Sequence, residues 1–215
     1  MKVNVLFLDY ERHQFTEEVK RKNFGNAGYE FDHVIIDMKG IAAAINSGIK
    51  ESFRHDAIVT MANDILMPDN WLLKMVEAWQ TIPNTGMAGI HCVERPGNEK
   101  EINGLIVQTC YTAFGNVLIP MEAVKKIGYF NEDYDPYGMQ DADYAFRLNN
   151  TGHINYYLHK MKSEHLGHDV GQPSDYRRMK DEGLSKAQAV WNDSTKKYSE
   201  TNDYTIFLNE WEETK

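Results

Sequence analysis

Cysteine is scarce in this chain: 215 residues carry only two, Cys92 and Cys110. That pair fits neither a disulfide scaffold nor a cysteine-built zinc site. Positive charge is short as well. Lys and Arg total 23 against 32 Asp and Glu, for a formal charge of -9. No basic block stands out, which argues against a general nucleic-acid binder. No apolar run reaches bilayer length, so no transmembrane segment is expected. The opening Val3-Asn4-Val5-Leu6-Phe7-Leu8 is too short and too interrupted for a signal peptide, and the expected location is cytoplasmic. Neither Gly-x-Gly-x-x-Gly nor Gly-x-x-x-x-Gly-Lys-Ser/Thr follows that run, which argues against a dinucleotide fold and a P-loop enzyme.

Apolar residues make up 42% and aromatic residues 12%. This composition can bury a core and is unlike that of a disordered chain. The length suits one domain, or one domain with an appendage. The acidic balance sets a condition on any anionic substrate. The overall field opposes it, so a metal ion or a local patch must supply the attraction.

Residues 3–8 read as a buried strand ending at Asp9. A helix is expected from about Thr16, broken by Gly25 and Gly28. His33-Val34-Ile35-Ile36 is a second strand, finishing at Asp37. Ile41 to Ser47 has helical propensity and is expected to stop at Gly48. Ala57-Ile58-Val59-Thr60-Met61 is a third strand, running into Asn63-Asp64. Strand, helix, strand, helix, strand predicts a mostly parallel sheet with crossover helices. Ligands of such sheets sit beyond the carboxyl ends of the strands, so Asp9, Asp37 and Asp64 are expected on one edge.

Trp71, Leu72, Met75, Val76 and Trp79 make the apolar stripe of the next helix. A strand is expected over 85–93, a polar loop over 94–100, and strand-forming residues through 102–118. Pro120 opens a helix that Gly128 ends. A helix over 141–149 and a strand over 154–158 follow. The chain turns polar after Gly171, with a helix expected over 180–197. Residues 1–169 are read as the main domain. Residues 170–215 are read as a helical appendage or lid, which also offers a surface for oligomerisation.

The order of these blocks resembles the nucleotide-sugar glycosyltransferases of the GT-A fold, in particular the inverting family 2. Four segments carry the resemblance: Phe7-Leu8-Asp9-Tyr10-Glu11-Arg12; Val34-Ile35-Ile36-Asp37 with Asn46-Ser47-Gly48; Ile58 to Asp64 with Pro68-Asp69-Asn70-Trp71; and Gly128-Tyr129-Phe130-Asn131-Glu132 leading to Gln140-Asp141-Ala142-Asp143 and Arg147, then His165. The resemblance covers residues 1–168. It departs at Ala62, where the first acid or amide of an Asp-x-Asp motif often lies, and at Gln140 and Asn131, which replace acids.

The resemblance implies an α/β GT-A-like three-layer sandwich around a mostly parallel mixed sheet. It implies metal-dependent, inverting transfer from a UDP- or GDP-linked sugar to a hydroxyl on a carbohydrate or other acceptor. Asp64 would hold Mn²⁺ or Mg²⁺, with His165 completing the metal shell; oxygen ligands suit these ions. Asp141 would be the general base. Asp143 would orient a neighbour or cap the helix. Asp9, Arg12, Asp37 and Asn63 would form the nucleotide pocket, with Asn46 capping or bracing the nucleotide side through its amide. Tyr134 and Tyr137 are candidates to line the acceptor site, and His168 is a weaker metal candidate. Trp71 and Trp79 read as core, and Trp191 and Trp211 as packing for the appendage in preference to stacking on an acceptor sugar. Two other readings stand beside this one. A nucleotidyltransferase would want a glycine-rich, basic loop where Tyr10-Glu11-Arg12-His13-Gln14 lies. A non-catalytic carbohydrate- or protein-binding domain would account for Ala62 and Gln140.

Overall fold

The computed structural model describes residues 1–9, 14–92, 98–109, 116–166 and 174–207, with side chains from residue 177 in the last stretch. In chain order the elements are β1 (Val3–Leu8), α1 (Thr16–Gly25), β2 (Asp32–Ile36), α2 (Ile41–Glu51), β3 (Ala57–Ala62), β4 (Ile65–Leu66), α3 (Trp71–Thr81), β5 (Thr85–His91), β6 (Asn98–Ile102), β7 (Leu105–Thr109), β8 (Val117–Pro120), α4 (Met121–Ile127), a 3₁₀ turn (Glu132–Tyr134), α5 (Gln140–Asn150), β9 (Ile154–Lys162), β10 (Glu164–His165) and α6 (Ser174–Thr201).

Eight strands form one sheet in the order β2-β1-β3-β8-β5-β9-β7-β6. β1 pairs in parallel with β2 and β3, and β5 with β9. β8 runs against β3 and β5, and β7 against β6 and β9. The sheet is therefore mixed but mostly of one direction, as expected. Helices cover both faces. Along β1, Val3, Val5 and Phe7 pack toward α1 and α3, while Leu6 packs toward α2, α4 and α5. Along β3, Ala57, Val59 and Met61 take the first side and Ile58 the second. A strand covered on both faces favours apolar residues at nearly every position, which is why these segments read as apolar runs broken only by Asn4 and Thr60. Trp71 is fully buried and donates its indole N–H to the carbonyl of Asn23 at 2.8 Å. Trp79 is half-buried against the same cluster.

The structure corrects the expected boundaries at several points. α2 does not stop at Gly48 but runs to Glu51. A Cβ at Gly48 would lie 2.7 Å from the Leu6 methyls, so this glycine serves close approach of helix to sheet rather than termination. Asn98, Glu99 and Lys100 belong to a strand, not a loop. β6 and β7 are joined by Asn103-Gly104, both at positive φ (50° and 83°), as a two-residue type I′ hairpin requires. β9 runs on to Lys162, and α6 spans 28 residues.

Candidate functional site

β1, β2 and β3 end side by side, and their carboxyl ends open onto a cleft of about 230 Å³. Asp64 stands in the turn between β3 and β4. The two-residue strands β4 and β10 pair antiparallel, with His165 opposite Ile65. The Leu166 amide donates to the Asp64 carbonyl at 2.8 Å. The added length of β9 thus delivers His165 to Asp64, and their side chains meet with Nε2 to Oδ2 at 3.4 Å. Both side chains stay partly open, at 20% and 15% exposure, so a solute can reach them.

Asp141 lines the same cleft from the first turn of α5, where its carboxylate accepts from the Ala142 amide at 2.9 Å. The approach to α5 is tied down on two sides. Gln140 Oε1 accepts from the Gly138 amide at 2.9 Å. Asp135 accepts from the amides of Ala42 and Ala43 at 2.9 and 3.0 Å. Those N–H groups open α2, whose own N-cap, Gly40, has no side chain to offer them. Gly40 sits at φ 94°, and a Cβ there would lie 2.6 Å from Asp135 Oδ2. Burial raises the Asp135 carboxyl above its usual range, with the amide bonds opposing.

Tyr137 follows Pro136 into the cleft wall. Burial first, then the negative charges of Asp141 and Asp64, hold its phenol above the usual tyrosine value. Those two carboxylates therefore act on one ring. Lys180 of α6 lines the cleft as well and lies over the Tyr137 ring at 5.0 Å from its centroid. Burial pulls its ammonium below the usual lysine value, with Asp64 opposing.

Of the residues expected from sequence, Asn63, Asp64, Asp141 and His165 come together on the cleft wall. Asp9 stands just behind them, its carboxylate 3.5 Å from the Asn63 amide nitrogen. Asp37 does not join them: it is exposed and off the wall, while its neighbour Met38 lines it. Asn46 lies beneath the cleft at 2% exposure. Its amide donates to the Phe130 carbonyl and to Glu132 and accepts from the Phe130 amide, so it braces one loop against α2. Tyr134 is buried and donates to Asp143 at 3.4 Å instead of facing an acceptor. Arg12, His168 and Trp211 lie outside the described residues. Trp191 packs edge-on to Phe146 at 5.6 Å.

Asp143, two residues from Asp141, points into the core. It is fully buried and pairs with Arg147 at 2.8 Å. Arg147 also donates to the carbonyls of Ile127 and Tyr129. Lys180 and Met179 are cleft residues that the sequence reading did not single out. No spacing marks them; only the packing of α6 brings them there.

The donor chemistry admits a divalent cation. A carboxylate oxygen and an imidazole nitrogen 3.4 Å apart are close to the separation of adjacent donors around an ion with bonds of about 2.1 Å, which is about 3 Å. Among the described residues, no group of three or more His, Cys, Asp and Glu clusters as a metal cage. A pair suits an ion that takes its remaining ligands from water and phosphate, the usual arrangement for Mg²⁺ in phosphate chemistry. An imidazole in the set leans from Mg²⁺ toward a transition metal.

The fold is of the GT-A type found in nucleotide-sugar glycosyltransferases. The chain is similar to GalNAc-T7 solved with UDP, GalNAc and Mn²⁺ (TM-score 0.62, 8% identity, covering 77% of this chain and 44% of that one). It is similar to the catalytic domain of Drosophila β1,4-galactosyltransferase 7 in complex with xylobiose (TM-score 0.59, 13% identity, 83% and 78%). It is also similar to a mannosyltransferase from Pyrobaculum calidifontis in complex with GDP-mannose and Mn²⁺ (TM-score 0.58, 15% identity, 79% and 58%). The chain thus spans less than two thirds of the first and third of these proteins. No family model matches it, and no curated protein matches it by sequence.

Proposed function

We propose that this protein is a metal-dependent glycosyltransferase that moves a sugar from a UDP- or GDP-linked donor to an acceptor hydroxyl with inversion. The observation that carries the reading is the meeting of Asp64, His165 and Asp141 on one cleft at the carboxyl ends of the strands of a GT-A fold. Asp64 and His165 hold the divalent ion, which when bound offsets the charge developing on the leaving diphosphate. Asp141 accepts the acceptor's proton as its oxygen attacks the anomeric carbon. The single base supports inversion. Asn63, with Asp9 behind it, borders the nucleotide side. The acceptor is a carbohydrate or another hydroxyl compound.

The test is nucleoside-diphosphate release across a panel of UDP- and GDP-sugars with Mn²⁺, Mg²⁺ or EDTA. We expect release from one donor with metal present, with or without an acceptor. Asp141→Asn should cut turnover by about 10²- to 10⁴-fold without loss of fold, and Asp64→Ala should abolish the metal response. A second reading has one observation in its favour, the lack of a three-residue acid or histidine cluster among the described residues. On that reading the protein is a carbohydrate- or protein-binding domain on the same fold. It would bind ligand equally well as Asp141→Asn and release no nucleoside diphosphate.

A further inference from the structure

The cleft wall carries two carboxylates, Asp64 and Asp141, and on the glycosyltransferase reading an anionic diphosphate leaves beside them. The chain as a whole carries -9, so its field also opposes an anionic donor. One ammonium faces this deficit among the described lining residues: that of Lys180. It comes from α6, far along the chain from the other cleft residues.

Its position is fixed by packing. At Gly183 the helix backbone lies against the Tyr137 carbonyl. Leu184 and Ala187 lie against Gly138, where a Cβ would stand 3.2 and 3.1 Å from them. Ala187 is buried to 1% exposure, and the Asn131 amide donates to Ser194 about two turns further on. These contacts set α6 on the segment that leads into Asp141. Lys180 projects from the end of that contact, with the face of Tyr137 beside its ammonium at 5.0 Å. An aromatic face attracts a cation and offers no competing proton acceptor.

We propose that Lys180 binds the diphosphate of the donor and stabilises the nucleoside diphosphate as it leaves. The inference rests on the glycosyltransferase reading above and adds a residue to it. In the transfer, the bond between the anomeric carbon and the phosphate oxygen breaks, and its electron pair stays on that oxygen. The acceptor oxygen bonds the carbon, and its proton goes to Asp141. Lys180 keeps its protons and gains an ion pair with the departing phosphate. A lysine serves phosphate as a point charge, and a cation placed beforehand where negative charge develops acts without reorganisation.

The test is calorimetric binding of UDP, GDP, uridine and guanosine to the intact protein with Mn²⁺, for wild type, Lys180→Met and Lys180→Arg. Methionine keeps the length and apolar bulk of the stem that packs by Tyr137. We expect Lys180→Met to weaken the diphosphate by about 10- to 100-fold and to leave the nucleoside unchanged. Lys180→Arg should recover most of the loss, and the salt dependence of diphosphate binding should flatten in Lys180→Met. Thermal unfolding of each variant verifies that α6 remains docked. If wild type prefers the diphosphate and Lys180→Met retains that preference in full, Lys180 serves only as a partner of Asp64 and Tyr137, and the inference falls alone. If wild type binds neither diphosphate, the nucleotide-sugar reading falls and takes the inference with it.

Discussion

At the scale of single residues, the same short stretch sends one carboxylate to the cleft and another to the core. Asp141 and Asp143 are two apart on a helix, so they face different ways. Asp141 meets the cleft, while Asp143 meets Arg147 in the core at zero exposure for both side chains. Removing one partner of such a pair strands a buried charge. Arg147→Met should therefore destabilise the protein by about 3–5 kcal/mol. Asp143→Leu with Arg147→Met should cost clearly less than the single change, because no charge is then left alone. Urea unfolding of both variants decides it, and equal losses would sink the account. His153 gives a second prediction. Burial holds its imidazole below the ordinary 6.5, so the folded protein favours the neutral form. The unfolded chain takes up its proton at the ordinary value, so unfolding binds a proton once the pH drops below it. This part of the stability is present above that value and is lost as the pH falls through it, until the folded pKa is passed. The difference in melting temperature between wild type and His153→Gln, followed from about pH 8 to 5, should shrink or reverse toward the acid side. A difference constant with pH would contradict it.

At the scale of elements, the sequence was most readable where one physical cause dominated. Two-sided burial made β1 and β3 legible, and the apolar stripe from Trp71 to Trp79 made α3 legible. That Asp64 and Asp141 border the cleft was legible because they sit where a strand or a helix begins or ends. The hairpin of β6 and β7 was also within reach, since Asn103-Gly104 is a strong turn signal; the charged face of Asn98–Ile102 hid it. β4 and β10 were not legible, because two-residue strands have no period and arise only from tertiary pairing. The partners of Asp37 and Asn46 were not legible for a related reason. A polar residue after a strand, or on a helix, does not reveal whether its partner is a ligand, water or a neighbouring loop. The docking of α6 is the largest gap, and Gly183 tests it. In a free helix, Gly183→Ala would stabilise by about 1 kcal/mol. Here a Cβ at Gly183 meets the Tyr137 carbonyl within contact distance. We expect the substitution to lower the melting temperature and to weaken nucleotide binding through displacement of Lys180. A gain in stability would mean that α6 does not rest on Tyr137.

At the scale of the whole molecule, the proposed function sets a net charge of -9 against a donor that carries negative charge of its own. Long-range attraction does not favour the encounter. On the proposed function, affinity comes from short-range groups, Lys180 and a cation held by Asp64 and His165. Binding to the folded state alone stabilises it by RT ln(1 + [L]/Kd), about 2.7 kcal/mol when ligand is at 100 times Kd. For a chain of this size, 1 kcal/mol shifts the midpoint by about 2–4 °C. UDP or GDP with Mn²⁺ at that saturation should then raise the melting temperature by about 5–10 °C. With EDTA in place of Mn²⁺ at the same nucleotide concentration, most of that shift should vanish, because the two acids of the cleft then repel the diphosphate with only Lys180 to offset them. Mn²⁺ alone should give a smaller shift, since two protein donors hold an ion weakly until phosphate oxygens complete its shell. Asp64→Ala should lose the Mn²⁺-dependent part of the nucleotide shift and keep whatever remains in EDTA. If the wild-type shift is the same in Mn²⁺ and EDTA, the nucleotide is held without a divalent ion, and the pairing of Asp64 with His165 must be explained as a structural tie between β4 and β10.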